Sequence, residues 1–151
     1  MGRLKVYLDN CCFNRPYDDQ TQERIYLETL AKLYTQQCIV DDKIDFVWSY
    51  VMEYENSLNP FQIRKDTIKN FSSRCFQFVD ATNQEEIVKI ANETVKPSIK
   101  EKDALHIACA IFAQCDYLLT TDDKMLKFKT DKIKICDPVQ FLKIMEEENN
   151  E

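Results

Sequence analysis

The stretch PSIKEKDALHIACAIFAQCDYLLTTDDK, from Pro97 to Lys124, decides the fold of this chain. Ser98, followed three residues later by Glu101, has the spacing of a capping box, which predicts that a helix begins here. Only two residues between Ala104 and Cys115 are polar, so this helix should be buried on nearly all sides. An apolar segment at residues 116–120 then predicts a buried strand. The stretch therefore predicts one helix–strand unit of an α/β protein.

The remainder of the chain alternates in the same way. The other predicted strands are short apolar segments, at residues 4–8, 44–49, 75–79 and 133–136. Segments with helical spacing separate them, whereas residues 10–20 have the composition of a turn. This alternation predicts an α/β fold, a three-layer α/β/α sandwich around a central, mostly parallel five-stranded sheet. We expect a single domain over residues 1–147 and a frayed acidic tail over residues 148–151.

Composition excludes several classes of function. The single glycine leaves no Gly-rich phosphate loop, which excludes P-loop and dinucleotide-binding sites. Seven cysteines without a Cys-x-x-Cys pair indicate free thiols in a reducing compartment. His106 is the only histidine, so a zinc site and a Ser-His or Cys-His nucleophile are both poorly supported. The formal net charge of −6 argues against a non-specific nucleic-acid binder, unless the acids are clustered at a metal site.

The location of the protein is predicted from what the sequence lacks. No apolar run approaches the length of a membrane helix, and the start MGRLKVYLDN has no signal-peptide core. We therefore expect a cytoplasmic protein with no membrane partner.

Acidic residues follow several of the predicted strands. If the chain winds outward through strands two and three and then returns, strands one and four adjoin at the switch point. Asp9 and Asp122 would then face one crevice. Glu53 and Glu55 follow strand two, and Asp103 begins the buried helix on the same side, although topology alone places Asp103 least securely. Each acid has a simpler alternative as a turn residue, a helix cap or a partner of the helix dipole.

Carboxylates that converge in one crevice require compensation. They repel one another and raise each other's pKa, and a divalent cation is the usual means of keeping them ionised. Oxygen ligands suit Mg²⁺ or Mn²⁺, and such a metal can activate water against a phosphodiester. In this interpretation His106 is a satisfied helix residue rather than a ligand.

Four segments together resemble a known family. They are VYLDN at 6–10, WSYVMEYEN at 48–56, KDALHIACA at 102–110 and CDYLLTTDDK at 115–124. In their order and spacing the chain resembles PIN-domain proteins of the toxin-ribonuclease type found in bacteria and archaea. The segment at residues 10–20 and the net acidity depart from the family's usual pattern.

The resemblance implies a function and a set of site residues. It implies a metal-dependent endoribonuclease that cleaves single-stranded RNA with Mg²⁺ or Mn²⁺, and a candidate role as the toxin of a toxin–antitoxin pair. The implied partners are RNA, an antitoxin protein and a second copy of the chain in a homodimer. The implied catalytic and metal-binding residues are Asp9, Glu55, Asp103 and Asp122. Glu53 stays open as the second acid, and Asp123, Thr120 and Thr121 adjoin the last one.

Basic residues near these acids are candidates for substrate binding. Lys124 and Lys127 open a run of lysines just after Asp122 that could follow an RNA backbone. The alternative is a solvated helix. Arg15 could contact a phosphate or pair with Asp18 or Asp19.

Two other classes of function stay open. The chain could be a non-catalytic PIN-fold RNA-binding or scaffold protein, although the presence of all four acids argues against this. A phosphoacceptor signalling domain would need an aspartate after strand three and a late lysine, and Asp80 and Lys134 fit those roles poorly.

Overall fold

The computed structural model describes residues 3–149 and has an all-parallel, five-stranded sheet flanked by helices. The strands are β1 (Lys5–Leu8), β2 (Asp45–Ser49), β3 (Gln77–Val79), β4 (Tyr117–Leu119) and β5 (Lys134–Cys136). They lie in the order β3-β2-β1-β4-β5. The predicted α/β class and five-stranded sheet are confirmed, and every strand pairing is parallel.

Within residues 3–149 there are eight α-helices, of which the first seven lie between strands and the last follows β5. They are α1 (Asn10–Asn14), α2 (Glu23–Val40), α3 (Tyr50–Ser57), α4 (Gln62–Ser72), α5 (Gln84–Thr94), α6 (Glu101–Phe112), α7 (Asp123–Lys127) and α8 (Pro138–Asn149). Short 3₁₀ turns occupy Arg15–Tyr17 and Ala81–Asn83. α8 includes residues 148 and 149 of the predicted tail, and residues 150 and 151 lie outside the described part of the chain.

The start of α6 differs from the sequence prediction. α6 begins at Glu101, and the residue before it, Lys100, makes no side-chain capping bond. Ser98 instead lies in a turn, next to Ile99, whose N–H donates to Lys96. The capping box predicted for Ser98 is therefore wrong, because Ser98 does not adjoin the free N–H groups of the first helical turn.

β1 is the central strand, and the core is built around it. Its residues 6–8 are completely buried, and Tyr7 lies opposite Val47 of β2 and Leu118 of β4. The chain runs outward through β2 and β3, then returns to place β4 on the other side of β1. The predicted switch point between strands one and four is therefore confirmed. In a parallel sheet the crevice at such a point is where ligands bind.

Helices pack against the sheet. On one face the ring of Phe13 in α1 lies 5.8–6.0 Å from the rings of Phe46, Trp48 and Phe71, measured between centroids. α6 packs against α5 and β4. Among the helices of residues 3–149, none combines the length and apolar character needed to cross a bilayer.

Candidate metal centre

Asp9 is fixed at the carboxyl end of β1. Its backbone N–H donates to Leu119 at 3.0 Å, which continues the pairing of β1 with β4. Its side-chain Oδ1 accepts from the N–H of Asn10 at 2.7 Å and so caps α1. Oδ2 accepts from the hydroxyl of Thr120 at 3.0 Å and the thiol of Cys11 at 3.3 Å. The carboxylate is therefore both buried and oriented.

Two further side chains meet Asp9 from different helices. Glu55 comes from α3, which Ser49 caps by accepting from the N–H of Met52 at 3.1 Å. His106 comes from α6, and its Nε2 lies 2.7 Å from Glu55 Oε1 and 3.7 Å from Asp9 Oδ1. One ligand atom each from Asp9, Glu55 and His106 fall within 4.8 Å of one another. This group can hold a metal ion.

His106 has partners on both ring nitrogens. Because a carboxylate only accepts, Nε2 carries a proton and donates to Glu55. Nδ1 lies 2.6 Å from the hydroxyl of Tyr7, which is in turn 2.7 Å from Ser49 Oγ. Burial alone would lower the pKa of His106, but the bond to Glu55 and the nearby charges of Asp9, Glu55 and Asp103 raise it overall. A protonated His106 thus offsets part of the negative charge.

The prediction that His106 is a satisfied helix residue agrees with these bonds, but it omitted the imidazole from the candidate metal ligands. The sequence held a signal for this second role. His106 follows Asp103 by three residues, so both side chains lie on the same side of α6. Lys102 brings a second positive charge to the group of Asp9, Glu55 and His106, since its Nζ lies 2.9 Å from Glu55 Oε2.

Asp103 and Asp122 stand at the same edge of the sheet. Burial raises the pKa of Asp103, and the negative charges of Asp9 and Asp122 raise it further, against the effect of His106 and Lys102. Asp122 caps α7, since its Oδ1 accepts from the N–H groups of residues 124 and 125 at 2.9 and 3.1 Å. Within residues 3–149, neither acid belongs to the tight group of ligand atoms around Asp9.

The structure distinguishes Glu53 from Glu55, the two candidates for the second acid of the site. Glu53 accepts from Trp48 Nε1 at 2.8 Å and pairs with Lys69, and its side chain is 38% exposed. Glu55 faces Asp9 and His106. Both acids are on α3, two positions apart, so they point in different directions. Glu55 is therefore the one that joins the group.

The residues around Asp122 have different surroundings. Thr120 is buried and bonds to Asp9, and its Oγ1 also accepts from the N–H of Asp122 at 3.1 Å. The carbonyl of Thr121 accepts from Arg24, which also pairs with Asp123 at 2.8 Å. Asp123 is thus an exposed ion-pair partner on the surface, whereas Thr120 directly positions the carboxylate of Asp9.

The basic residues proposed to bind substrate, Arg15, Lys124 and Lys127, have different surroundings in the structure. Arg15 donates through Nε and Nη2 to the buried carboxylate of Glu28, at 2.9 and 2.7 Å, and through Nη1 to Asp18 at 3.1 Å. Its guanidinium is therefore occupied, and the phosphate contact suggested for Arg15 does not fit this arrangement. Lys124 and Lys127 are exposed, and neither forms a salt bridge with another residue in the described part of the chain.

Comparisons with known proteins add no family assignment. No protein-family model matches the chain, and no curated protein matches it. The resemblance to PIN-domain proteins therefore stays a prediction based on the four sequence segments.

Proposed function

We propose that the protein is a metal-dependent endoribonuclease that cleaves single-stranded RNA. The observation that carries this proposal is the convergence of Asp9, Glu55 and His106, from three elements, at the switch point of a parallel sheet. Asp103 and Asp122 add negative charge at the same edge. His106 and Lys102 supply at most two positive charges against the four carboxylates of Asp9, Glu55, Asp103 and Asp122, and the negative charge that remains favours a metal site over a purely structural role.

The donor atoms fit a hard divalent cation. Asp9, Glu55, Asp103 and Asp122 supply carboxylate oxygens, which suit Mg²⁺ and Mn²⁺, and the imidazole of His106 favours Mn²⁺ of the two. When bound, the cation supplies positive charge that offsets the phosphodiester and increases the acidity of an attacking water.

The protein's own residues prepare this site. Thr120 and the N–H of Asn10 hold the carboxylate of Asp9 in one orientation. His106 carries a proton at Nε2 and donates it in a hydrogen bond to one oxygen of Glu55, and Lys102 contacts the other oxygen of that carboxylate. A cation held by Asp9 and Glu55 would add to His106 and Lys102 as an electrostatic partner of Glu55. Lys124 and Lys127, exposed just after Asp122, are suited to the phosphates of an RNA strand.

The test is a cleavage assay with purified protein, freed of metal and then given Mn²⁺ or Mg²⁺. The substrate is an end-labelled pool of mixed-sequence single-stranded RNA, with duplex RNA and single-stranded DNA compared in parallel. Asp9→Asn and Asp103→Asn should abolish cleavage while circular dichroism remains unchanged. Asp122→Asn and Asp123→Asn form a matched pair, because both are carboxylates at the start of α7 and Asn can retain a cap. Only Asp122→Asn should impair cleavage.

Two results would contradict the proposal. One is RNA cleavage at the unmutated rate by both Asp9→Asn and Asp103→Asn with Mn²⁺ supplied. The other is the absence of Mn²⁺ binding in calorimetry at millimolar concentration, which would favour the non-catalytic scaffold. An antitoxin partner, a homodimer and a cytoplasmic location stay predictions from the sequence.

A further inference from the structure

A groove between α2 and α4 is independent of the candidate metal centre. Its cavity volume is about 750 Å³, and aromatic rings of Phe13, Tyr17 and Phe71 line it. Lys32 from α2 and Arg74, just beyond α4, also line it. Among the residues of the described chain that line this Lys32 groove, none belongs to the group of Asp9, Glu55 and His106.

Lys32 is unusual because it is buried without an ionic partner. Its residue is 4% exposed, yet within residues 3–149 no salt bridge or side-chain hydrogen bond satisfies its ammonium. Nζ instead lies 5.3 Å from the ring centroid of Phe13. Burial lowers the pKa of Lys32 from 10.5 to about 8. The charge of the adjacent Cys12 acts in the opposite direction and raises the pKa, but by less. Nζ itself is not fully enclosed, because Asn56 Oδ1 is the one completely buried side-chain polar atom without a partner in the described chain, so the ammonium is open to the groove. A largely buried ammonium without an ionic partner is costly, and such a residue commonly has a ligand or a function.

We propose that the Lys32 groove binds a small organic anion whose charge pairs with Lys32 and whose ring packs against the aromatic lining. The amine supplies three donors and no acceptor, so it selects for an anionic head group. Phe71 and the face of Tyr17 that Arg64 does not cover supply the accessible apolar surface, which favours an aromatic or similarly flat body. Phe13, in contrast, is 1% exposed and lies behind Lys32. Arg74 is exposed and lines the same groove, so it adds positive charge, while Asp42 on the lining disfavours a ligand with several negative charges.

Binding should be linked to protonation of Lys32. An anion stabilises the ammonium, so binding above the pKa of about 8 should take up a proton, and binding well below it should not. Cys12 is the titratable group whose charge acts on Lys32, and Tyr17, Asp42 and Arg74 are the other titratable or charged groups that line the groove. A variant that removes only the amine tests whether Lys32 is the group that takes up the proton.

The experiment is calorimetry of the full chain with four probes, namely benzoate, phenyl phosphate, inorganic phosphate and benzyl alcohol. Benzoate and phenyl phosphate should both bind, since they combine a ring with a charge, and the stronger of the two identifies the preferred head group. Lys32→Met should weaken binding by about tenfold or more, the loss expected for one charge-assisted hydrogen bond. Lys89→Met changes an exposed lysine on α5 and should leave the affinity within about twofold.

Proton uptake and fluorescence provide separate measurements. Benzoate binding in buffers of different ionisation enthalpy should show uptake at about pH 9 and none at about pH 6.5, and Lys32→Met should abolish the uptake. The only tryptophan, Trp48, lies 5.8 Å from Phe13, so its emission should change on binding. The proposal is overturned if neither anion binds up to about 10 mM, or if Lys32→Met binds both as tightly as the unmutated chain.

Discussion

His106 determines how the acids of this chain are balanced when no cation is bound. It is completely buried and connects the hydroxyl of Tyr7 to the carboxylate of Glu55. Its raised pKa means that the ring readily holds a positive charge between Asp9 and Glu55. The same ring can therefore act as a temporary counter-ion or as a metal ligand, and the two roles exclude each other at Nε2.

Glu55 and Glu53 provide a matched test of the second acid. Glu55→Gln should reduce metal-stimulated RNA cleavage by about 100-fold or more, since it removes a charged oxygen donor from the group around Asp9. Glu53→Gln should remain within about threefold, because Glu53 is engaged by Trp48 and Lys69. Mn²⁺ titration by calorimetry should show the same difference. Equal losses in the two variants would contradict the assignment of Glu55.

Tyr7 should contribute to stability through its hydroxyl. Tyr7→Phe removes the bonds to His106 and Ser49 and leaves both partners buried, so the free energy of unfolding should fall by about 2 kcal/mol. Urea denaturation measures this change. Tyr117→Phe is the control, because in the described chain the Tyr117 hydroxyl has no side-chain hydrogen bond, and its effect should stay below about 0.5 kcal/mol.

Lys32 should make stability depend on pH. Its pKa of about 8 in the folded chain is below 10.5, so between these values the unfolded state binds more protons and stability rises with pH. Lys32→Met should therefore increase the free energy of unfolding by about 3 kcal/mol near pH 7, and this gain should shrink toward pH 10.5. Urea denaturation of both chains across this range measures the gain. A gain independent of pH would show that the amine is not the cause.

At the scale of secondary-structure elements, the Arg15 ion pair joins the 3₁₀ turn after α1 to α2. Arg15→Met would leave Glu28, which is 2% exposed, with only the longer contact to Arg24 at 3.4 Å. We expect the free energy of unfolding to fall by about 3 kcal/mol, as for other broken buried pairs. Asp18→Asn removes the exposed partner and should cost less than about 0.5 kcal/mol. Weakened RNA binding by Arg15→Met with unchanged stability would instead support a phosphate contact.

The order and type of most elements could be predicted because their signals are local. Strands such as β2 are short apolar runs, and Pro138 marks the first turn of α8. α1 was not predicted because its five residues carry turn-forming asparagines, and because Asp9 has the spacing of a turn residue as much as that of the helix cap it forms. Ser98 matched a capping motif, but the motif does not specify where the backbone becomes helical.

The site could be predicted only in part, for a physical reason. That Asp9 and Asp122 share one edge follows from topology, since all parallel strands end on the same side. Which of Glu53 and Glu55 turns inward depends on side-chain direction on α3. The partners of Arg15 and His106 depend on contacts between distant segments. Glu28 was missed for Arg15 because an acid on an amphipathic helix ordinarily faces solvent.

At the scale of the whole molecule, repulsion between the acids of the crevice at the switch point should lower the stability of the metal-free protein. Asp103→Asn should relieve repulsion with Asp9 and Asp122, so the metal-free protein should melt about 2–4 °C higher, for a gain of about 1 kcal/mol. The same variant should lose most of the thermal stabilisation by Mn²⁺ that the unmutated chain shows. Differential scanning fluorimetry with and without Mn²⁺ measures both effects.

Asp123→Asn is the control for this prediction. It removes only an exposed pair with Arg24, so it should not raise the melting temperature and should retain the response to Mn²⁺. A lower melting temperature for metal-free Asp103→Asn would contradict the repulsion argument.

The central position of β1 also governs when the crevice can form during biosynthesis. Thr120, which orients Asp9, is 111 residues later in the chain. A ribosome releases β1, β2 and β3 before β4, so until then one side of β1 is an unpaired sheet edge. Asp122 emerges later still. The charged crevice is therefore assembled among the last steps of synthesis, and a nascent chain that stops before β4 has Asp9 with its bond to Asn10 but without the bond to Thr120.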